Sequence, residues 1–301
     1  MAKNRTGFQS AWSGGSVHIL PPQMVGAAYF VDATNGDSTN DGSAWDNALA
    51  TVDQAIAKCG AGDRIFMAPW HAETEAAEDT SIFTMDVASV SLIGMRQGNL
   101  IPTFTFTDDG ATATVSAANC VIQGCKFVSG VIDLAAAMTL SAAADYCVID
   151  DCEFQDGSAV LEMVFGIQVA TTVNDLTIQN SRFYTTDAGD GTDSAIKLVG
   201  ANYRFTLQDC TFRGDWDVSV IDGVDAAGFD FLIQRNNINQ LEATNGLTVS
   251  LNAATTGNVV YNNCHSGLNG TGMAAAGCNV AMNMESNVEG AQGFYLTAQD
   301  T

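Results

Sequence analysis

Basic residues are scarce in this sequence, and their scarcity argues against a class of function. Of 301 residues, 11 are Lys or Arg and 34 are Asp or Glu, so the formal net charge is −23. Proteins that bind nucleic acid neutralise phosphates with clustered Lys and Arg, so we expect no nucleic acid partner. The excess of carboxylates is typical of a solvated, self-repelling surface or of cation binding.

Long apolar runs are missing as well. No stretch reaches the roughly 20 apolar residues that a membrane-spanning helix needs, so we expect no membrane segment. The N-terminus has no apolar segment of the kind found in secretion signals. We therefore expect a protein made in a host cytoplasm, which reaches the outside only as part of an assembly. Its eight cysteines are then expected to be reduced.

One short phrase returns along the chain, with apolar residues alternating on both sides of a polar pair. The clear copies are 120–127, 147–154, 176–183 and 205–212. The aliphatic residues at the centre of all the copies, weaker ones included, are Ile65, Leu92, Ile122, Ile149, Ile178, Leu207, Ile233, Val260 and Val280. The copies recur every 26 to 30 residues, except for a last step of 20. A fixed period indicates a repeat architecture, and the alternation predicts strands with one buried face.

The repeats predict an all-β fold, a right-handed parallel β-helix of about nine coils. Each repeat is too short for a crossover helix and lacks the pattern of a leucine-rich repeat. At a strand spacing of about 4.8 Å the stack would be roughly 40 Å tall. Residues at equal positions should stack in columns, among them the cysteines and the phenylalanines from Phe127 to Phe212. Asn236, Asn263 and Asn283 are expected to form an asparagine ladder at a turn.

The chain divides into four predicted parts. Residues 1–26 are an extended N-terminal arm, 27–62 an entry strand, loop and capping helix, 63–285 the parallel β-helix, and 286–301 a closing segment. The helix is predicted from the apolar stripe Leu49, Val52, Ile56 and Cys59. We expect Asp46 or Asn47 to cap its N-terminus and Gly60 to end it. The helix would cover the open end of the apolar column.

The entry segment resembles that of a known fold family. The residues that carry the resemblance are Phe30-Val-Asp, Gly36-Asp37, Asp41-Gly42-Ser43, Ala50-Thr51-Val52 with Ala55-Ile56, and Gly62-Asp63 through Pro69. In this order they look like the entry of pectate-lyase-like right-handed β-helix proteins, and the resemblance extends over about residues 27–285. It implies the fold and says little about function, because the family includes lyases, hydrolases, adhesins and phage spikes.

The function that the resemblance favours is structural. The arm, the few basic residues and the missing signal look most like a phage virion component, a homotrimeric capsid decoration or spike protein. We expect the arm to attach it to a capsid or tail protein through Lys3, Arg5, Val17, Ile19 and Leu20. No catalytic residue and no cofactor are expected on this hypothesis.

The alternative is a tailspike polysaccharide depolymerase, either a glycoside hydrolase or a lyase, or a glycan-binding adhesin. Glycoside hydrolysis needs two carboxylates, and Asp151, Glu153 and Asp209 are the first candidates. Asp151 and Asp209 share one turn position two rungs apart, roughly 10 Å by strand spacing. The lyases of the family resemble one another in using calcium-bound carboxylates with a basic residue, and we find no coil where a basic residue lies in register with several acids.

Three smaller features were weighed for function. Trp45, Trp70 and His71 are a possible surface patch for a glycan or partner, although packing is the simpler interpretation. A serine–histidine–aspartate triad is left open by the three histidines, but no nucleophile elbow accompanies them. The loop from Asp37 to Asp41 offers carboxylates to calcium without the spacing of an EF-hand, so turn formation is the simpler interpretation and no metal site is predicted.

Overall fold

A computed structural model describes residues 10–13, 16–19, 26–75, 81–185, 192–241, 247–266, 273–287 and 293–296. Within this part the chain winds into a parallel β-helix with three faces. The predicted fold is therefore confirmed. None of the helices in the described ranges is long and apolar enough to cross a membrane.

The first face contains the strands that carry the central aliphatic residues of the repeats. Its strands are β3 (Ala28–Val31), β4 (Arg64–Met67), β7 (Ser91–Gly94), β10 (Val121–Gln123), β13 (Val148–Asp150), β16 (Thr177–Gln179), β19 (Thr206–Gln208), β22 (Phe231–Gln234), β25 (Gly257–Val260) and β28 (Asn279–Asn287). Neighbours pair in parallel, with Ile122 beside Ile149 and Ile149 beside Ile178.

From β10 to β25 the second face follows the first after two corner residues, and the two earlier turns have longer connections. Its strands are β5 (Ala72–Glu75), β8 (Thr103–Phe106), β11 (Lys126–Ser129), β14 (Glu153–Asp156), β17 (Arg182–Tyr184), β20 (Thr211–Gly214), β23 (Asn237–Gln240) and β26 (Asn263–Ser266). The first corner residue has a positive φ at Gly124, Asp151, Asn180, Asp209 and Arg235. Asn and Asp tolerate this left-handed conformation better than most residues do. The polar pairs in the repeats thus mark the corner, as predicted.

The third face is an eight-stranded parallel sheet. Its strands are β6 (Ser81–Met85), β9 (Thr112–Val115), β12 (Met138–Leu140), β15 (Phe165–Val169), β18 (Ser194–Leu198), β21 (Ser219–Gly223), β24 (Leu247–Leu251) and β27 (Met273–Ala274). Complete three-sided turns are therefore fewer than the nine coils counted from the sequence.

Columns of like side chains fill the interior. Adjacent ring centroids in the phenylalanine column lie 4.8 to 5.4 Å apart, and its members are Phe104, Phe127, Phe154, Phe183 and Phe212. Six of the cysteines are buried, and all eight are free thiols. The rung predicted at Val260 is centred on Val259 instead, which pairs with Ile233 and Val280.

The asparagine ladder is present, but its middle member lies one residue earlier in the chain than predicted. Its middle member is Asn262, which is 1% exposed, whereas Asn263 is exposed. Asn262 Oδ1 accepts hydrogen bonds from the backbone N–H and side-chain amide of Asn236, and Asn283 Oδ1 accepts the equivalent pair from Asn262. A buried amide can hold two rungs together because it both donates and accepts.

The capping helix is shorter than predicted. Helix α1 (Val52–Ile56) begins after Thr51, whose hydroxyl accepts the N–H of Gln54 while the Gln54 side chain accepts the N–H of Thr51. This capping box replaces the predicted caps, because Asp46 and Asn47 belong to a separate 3-10 turn (Trp45–Asn47). The helix ends at Ile56 and not at Gly60, and the glycine with positive φ nearby is Gly62.

The two ends of the chain carry antiparallel pairs. Strand β1 (Ser10–Ser13) pairs with β2 (Ser16–Ile19), in a region where the sequence shows no strand periodicity. Strand β29 (Gly293–Leu296) pairs with β28 inside the predicted closing segment.

Candidate functional site

A lysine and two aspartates meet on the outer side of the third face, and a third aspartate lies near enough to be influenced by their charges. Lys197 and Asp222 are register partners on β18 and β21, so their side chains point the same way. Lys197 Nζ lies 2.7 Å from Asp222 Oδ2 and 2.9 Å from Asp225 Oδ2. The side chain of Asp225 is 43% exposed, against 14% for Lys197 and 5% for Asp222. We name Asp193, Lys197, Asp222 and Asp225 the aspartate–lysine cluster.

Asp193 is the carboxyl group of the cluster whose pKa is raised above its ordinary value. Burial raises its pKa, the ammonium of Lys197 lowers it by a smaller amount, and the negative charge of Asp222 raises it again. Its backbone is fixed to both neighbouring rungs: the N–H donates to the carbonyl of Val164, and the carbonyl accepts the N–H of Val218. The acid is thus held rigidly at the start of β18.

Lys197 remains an ammonium in this setting. Burial lowers its pKa, but hydrogen bonds to Asp222 and Asp225 outweigh burial and leave the pKa raised. A lysine in this state is a poor general base. Its role in the cluster is to hold two carboxylates in place.

A small cavity lies among buried side chains between the second and third faces. Its lining includes Thr192, Ala195, Tyr184 and Trp216, and it includes none of the four residues of the aspartate–lysine cluster. Trp216 is 1% exposed, so its indole is packed in the interior. The cavity is therefore separate from the candidate site.

The structure brings two of the three predicted catalytic carboxylates together, but with arginines. Arg96 donates to Asp151 Oδ1 at 2.6 Å and to Glu153 Oε1 at 2.7 Å, and Arg182 donates to the same oxygen of Glu153 at 2.9 Å. Arg182 and Glu153 are register partners, whereas Arg96 reaches both acids from the segment after β7, so the expectation that no basic residue lies in register with several acids is not contradicted. Each carboxylate is thus paired with at least one guanidinium, in the charge-assisted geometry that fixes its position.

Asp209 does not join them. It occupies the corner position two rungs beyond Asp151, as predicted, with Asn180 between them. Arg235 holds it with two hydrogen bonds of 2.8 and 2.7 Å, and these bonds lower the pKa of Asp209. The three predicted carboxylates therefore form two arginine-bound groups and no acid–base pair.

The predicted patch of Trp45, Trp70 and His71 is split between surface and interior. Both tryptophans are nearly half exposed, while His71 is 1% exposed. His71 Nδ1 accepts the N–H of Ala33, so Nε2 carries the proton and donates to Glu73 Oε1 at 2.6 Å. With both ring nitrogens in use, His71 holds the first turn together and leaves no nitrogen for a serine nucleophile.

The remaining predicted sites add no chemistry. Asp37 and Asp41 each accept the N–H of the residue two positions on, which is turn geometry. Among the described residues no group of three or more His, Cys, Asp or Glu is arranged to hold a metal ion. Of the proposed attachment residues, Val17 and Ile19 lie on β2, while Lys3, Arg5 and Leu20 lie outside the described ranges.

The chain is similar in fold to several solved structures. A structure named rhamnogalacturonan lyase has a TM-score of 0.51 and 13% identity, covering 80% of this chain and 74% of that one. A GH136 lacto-N-biosidase from Eubacterium ramulus has a TM-score of 0.44, 10% identity and coverage of 87% and 68%. Pectate lyase Pel9A has a TM-score of 0.37, 14% identity and coverage of 85% and 79%. No protein-family model and no curated protein matches the sequence.

At this level of identity the likeness establishes the fold alone. It supports the resemblance to the pectate-lyase-like β-helix that the entry segment suggested. None of the three names refers to a virion protein. The decoration-protein hypothesis, the homotrimer and the capsid or tail partner therefore stay predictions.

Proposed function

We propose that the protein binds and hydrolyses a polysaccharide on the outer side of the third face, with Asp193 as general acid. The observation that supports the proposal is that one cluster contains carboxyl groups in opposite environments. Burial raises the pKa of Asp193, and this carboxyl group stands beside carboxylates held by Lys197. Titratable groups whose environments differ in this way mark acid and base roles.

The roles follow from exposure and hydrogen bonding. Asp193 donates its proton to the glycosidic oxygen as the bond to the anomeric carbon breaks. Asp225, the more exposed partner of Lys197, accepts a proton from the water that attacks this carbon. Asp222 is the buried partner, with Oδ2 on Lys197 and Oδ1 accepting the N–H of Val224, so it positions the ammonium.

Hydrolysis fits these residues better than elimination. A lyase needs a base that removes a proton from carbon, and the raised pKa of Lys197 keeps its amine protonated. The similar structure with a TM-score of 0.51 is named a lyase, but a shared fold hosts many chemistries.

The test is a panel of soluble polysaccharides with the release of reducing ends as readout. The wild type should cleave at least one polymer, and Asp193→Asn should slow it by about a hundredfold or more, the usual size of a general-acid effect. Asp209→Asn is the matched control, because Asp209 is paired with Arg235 on another part of the helix. A wild-type rate in Asp193→Asn would overturn the assignment, and products with a new ultraviolet-absorbing double bond would overturn hydrolysis.

A further inference from the structure

Three exposed aromatic residues lie along the corner between the third and first faces. Tyr146, Tyr203 and Phe229 lie just before β13, β19 and β22 and are 55%, 38% and 38% exposed. Tyr203 and Phe229 are partners on adjacent rungs, and Tyr146 lies two rungs before Tyr203. Single exposed aromatic residues are ordinary, whereas a group of them marks an interaction surface. We name these three residues the aromatic ridge.

The ridge is rigid before any partner arrives. The backbone N–H of Tyr146 donates to the carbonyl of Asn174, Asp175 donates to Tyr203, and Arg204 donates to Phe229, at 2.8 to 2.9 Å. Each bond joins one rung to the next, so the corner forms its own ladder. A surface that is already ordered loses little entropy when it binds.

Polar groups surround the aromatic rings. The rings of Tyr203 and Phe229 are stacked, with centroids 5.1 Å apart and planes 18° apart. Arg204 is fixed by two hydrogen bonds of 2.7 Å to Asp175, and the proximity of Tyr146 also helps to lower the pKa of Asp175. An apolar stack thus lies beside fixed donors and acceptors at this corner.

We propose that the aromatic ridge binds an uncharged glycan chain lying along the helix axis. A sugar ring has an apolar C–H face that packs on an aromatic ring and a rim of hydroxyl groups that takes hydrogen bonds, so exposed rings with fixed polar groups beside them suit it. Charge decides the class of glycan. Asp145, Asp175 and Asp230 outnumber Arg204 at this corner, and the whole chain carries −23, so an anionic polymer is repelled.

This site goes beyond the proposed function, because binding at the ridge requires no cleavage. Tyr203 stands in the turn that leaves β18, a few residues after Lys197, so a chain bound on the ridge can extend towards the aspartate–lysine cluster. Loss of ridge binding and loss of hydrolysis are separate results, since Asp193→Asn leaves the ridge intact.

The experiment is affinity electrophoresis of the full chain in gels that contain hydroxyethyl cellulose, galactomannan, xyloglucan or polygalacturonate. We expect retardation by at least one of the three neutral polymers and weaker or no retardation by polygalacturonate. The double variant Tyr203→Ala/Phe229→Ala should bind about tenfold more weakly, the equivalent of about 1.4 kcal/mol. Tyr203→Leu keeps apolar bulk without the flat ring and serves if the double variant does not fold.

Tyr261→Ala is the matched control for Tyr146→Ala. Both tyrosines have similar exposure and positive φ, 57° and 59°, but Tyr261 lies on the corner between the first and second faces. The control should bind as the wild type does, and Tyr146→Ala more weakly. Wild-type binding in the ridge variants, no retardation by any neutral polymer, or stronger retardation by polygalacturonate would each overturn the proposal.

Discussion

Removal of the central amide of the asparagine ladder gives a sharp test of how the rungs are held together. In Asn262→Ala two buried groups lose a partner. The backbone N–H of Asn236 loses Asn262 Oδ1 at 3.0 Å, and the carbonyl of Ile233 loses Asn262 Nδ2 at 3.0 Å. Asn262 is 1% exposed, so water does not replace these bonds in the folded state.

The expected cost follows from the number of groups left unpaired. A buried polar group without its partner costs about 1–3 kcal/mol. For the two groups at Asn262 we expect the free energy of unfolding to fall by about 2–4 kcal/mol. The side-chain amide of Asn236 keeps its bond to the carbonyl of Leu207 and adds little to this total.

Urea unfolding followed by circular dichroism measures the effect, and the adjacent residue supplies the control. Asn263 is exposed, and its side chain bonds that of Asn237 at the surface. Asn263→Ala should therefore change stability by less than about 1 kcal/mol. The reasoning is refuted if the two variants unfold at the same urea concentration, or if Asn263→Ala is the more damaging.

Three further results are expected. Asp193→Asn should melt above the wild type at neutral pH, because the raised pKa of Asp193 means that its charge destabilises the folded state. This advantage should disappear as the pH falls below the unfolded value of 3.8, and an advantage that persists there would contradict the assignment. Arg96→Ala should lower the free energy of unfolding in urea by about 1–2 kcal/mol, because the partly buried carboxylate of Glu153 loses one of its two guanidinium partners. An unchanged free energy of unfolding would contradict this. Iodoacetamide at neutral pH should label the native protein slowly, because burial raises the pKa of Cys59 to about 12 and of Cys278 to about 11. After unfolding, all eight thiols should react, as counted by mass spectrometry. Rapid labelling of the native form would contradict the burial of the thiols.

The sequence was enough to predict the first two faces because their side chains alternate on short strands joined by a two-residue corner. One error of register remained. Val259 and Val260 are both aliphatic, and the choice of Val260 shifted the rung by one residue. The same shift accounts for the asparagine ladder being assigned to Asn263 when the buried amide is Asn262.

The aspartate–lysine cluster was missed because the third face is reached through turns of varied length. Lys197 and Asp222 are register partners, but the repeat was aligned on the first face, where neither residue lies. Alignment of the third strand of each repeat would have placed the lysine beside the acid. The raised pKa of Asp193 could not have been found in this way, because it depends on burial.

The start of the capping helix, in contrast, is encoded by a signal that can be found in the sequence. Thr51 and Gln54 have the spacing of a capping box, which sets where α1 begins. The apolar stripe was predicted correctly at Leu49, Val52 and Ile56, all of which are buried. The helix boundary was misplaced because Asp46 and Asn47, favourable cap residues in themselves, are used by the preceding turn.

A crystal structure of Asp193→Asn with an oligosaccharide of the polymer that the wild type cleaves tests the central claim most directly. The account predicts a sugar unit on the outer side of the third face, with its glycosidic oxygen within hydrogen-bonding distance of residue 193 and its anomeric carbon facing Asp225. A sugar bound elsewhere, with the aspartate–lysine cluster free of it, would contradict the account.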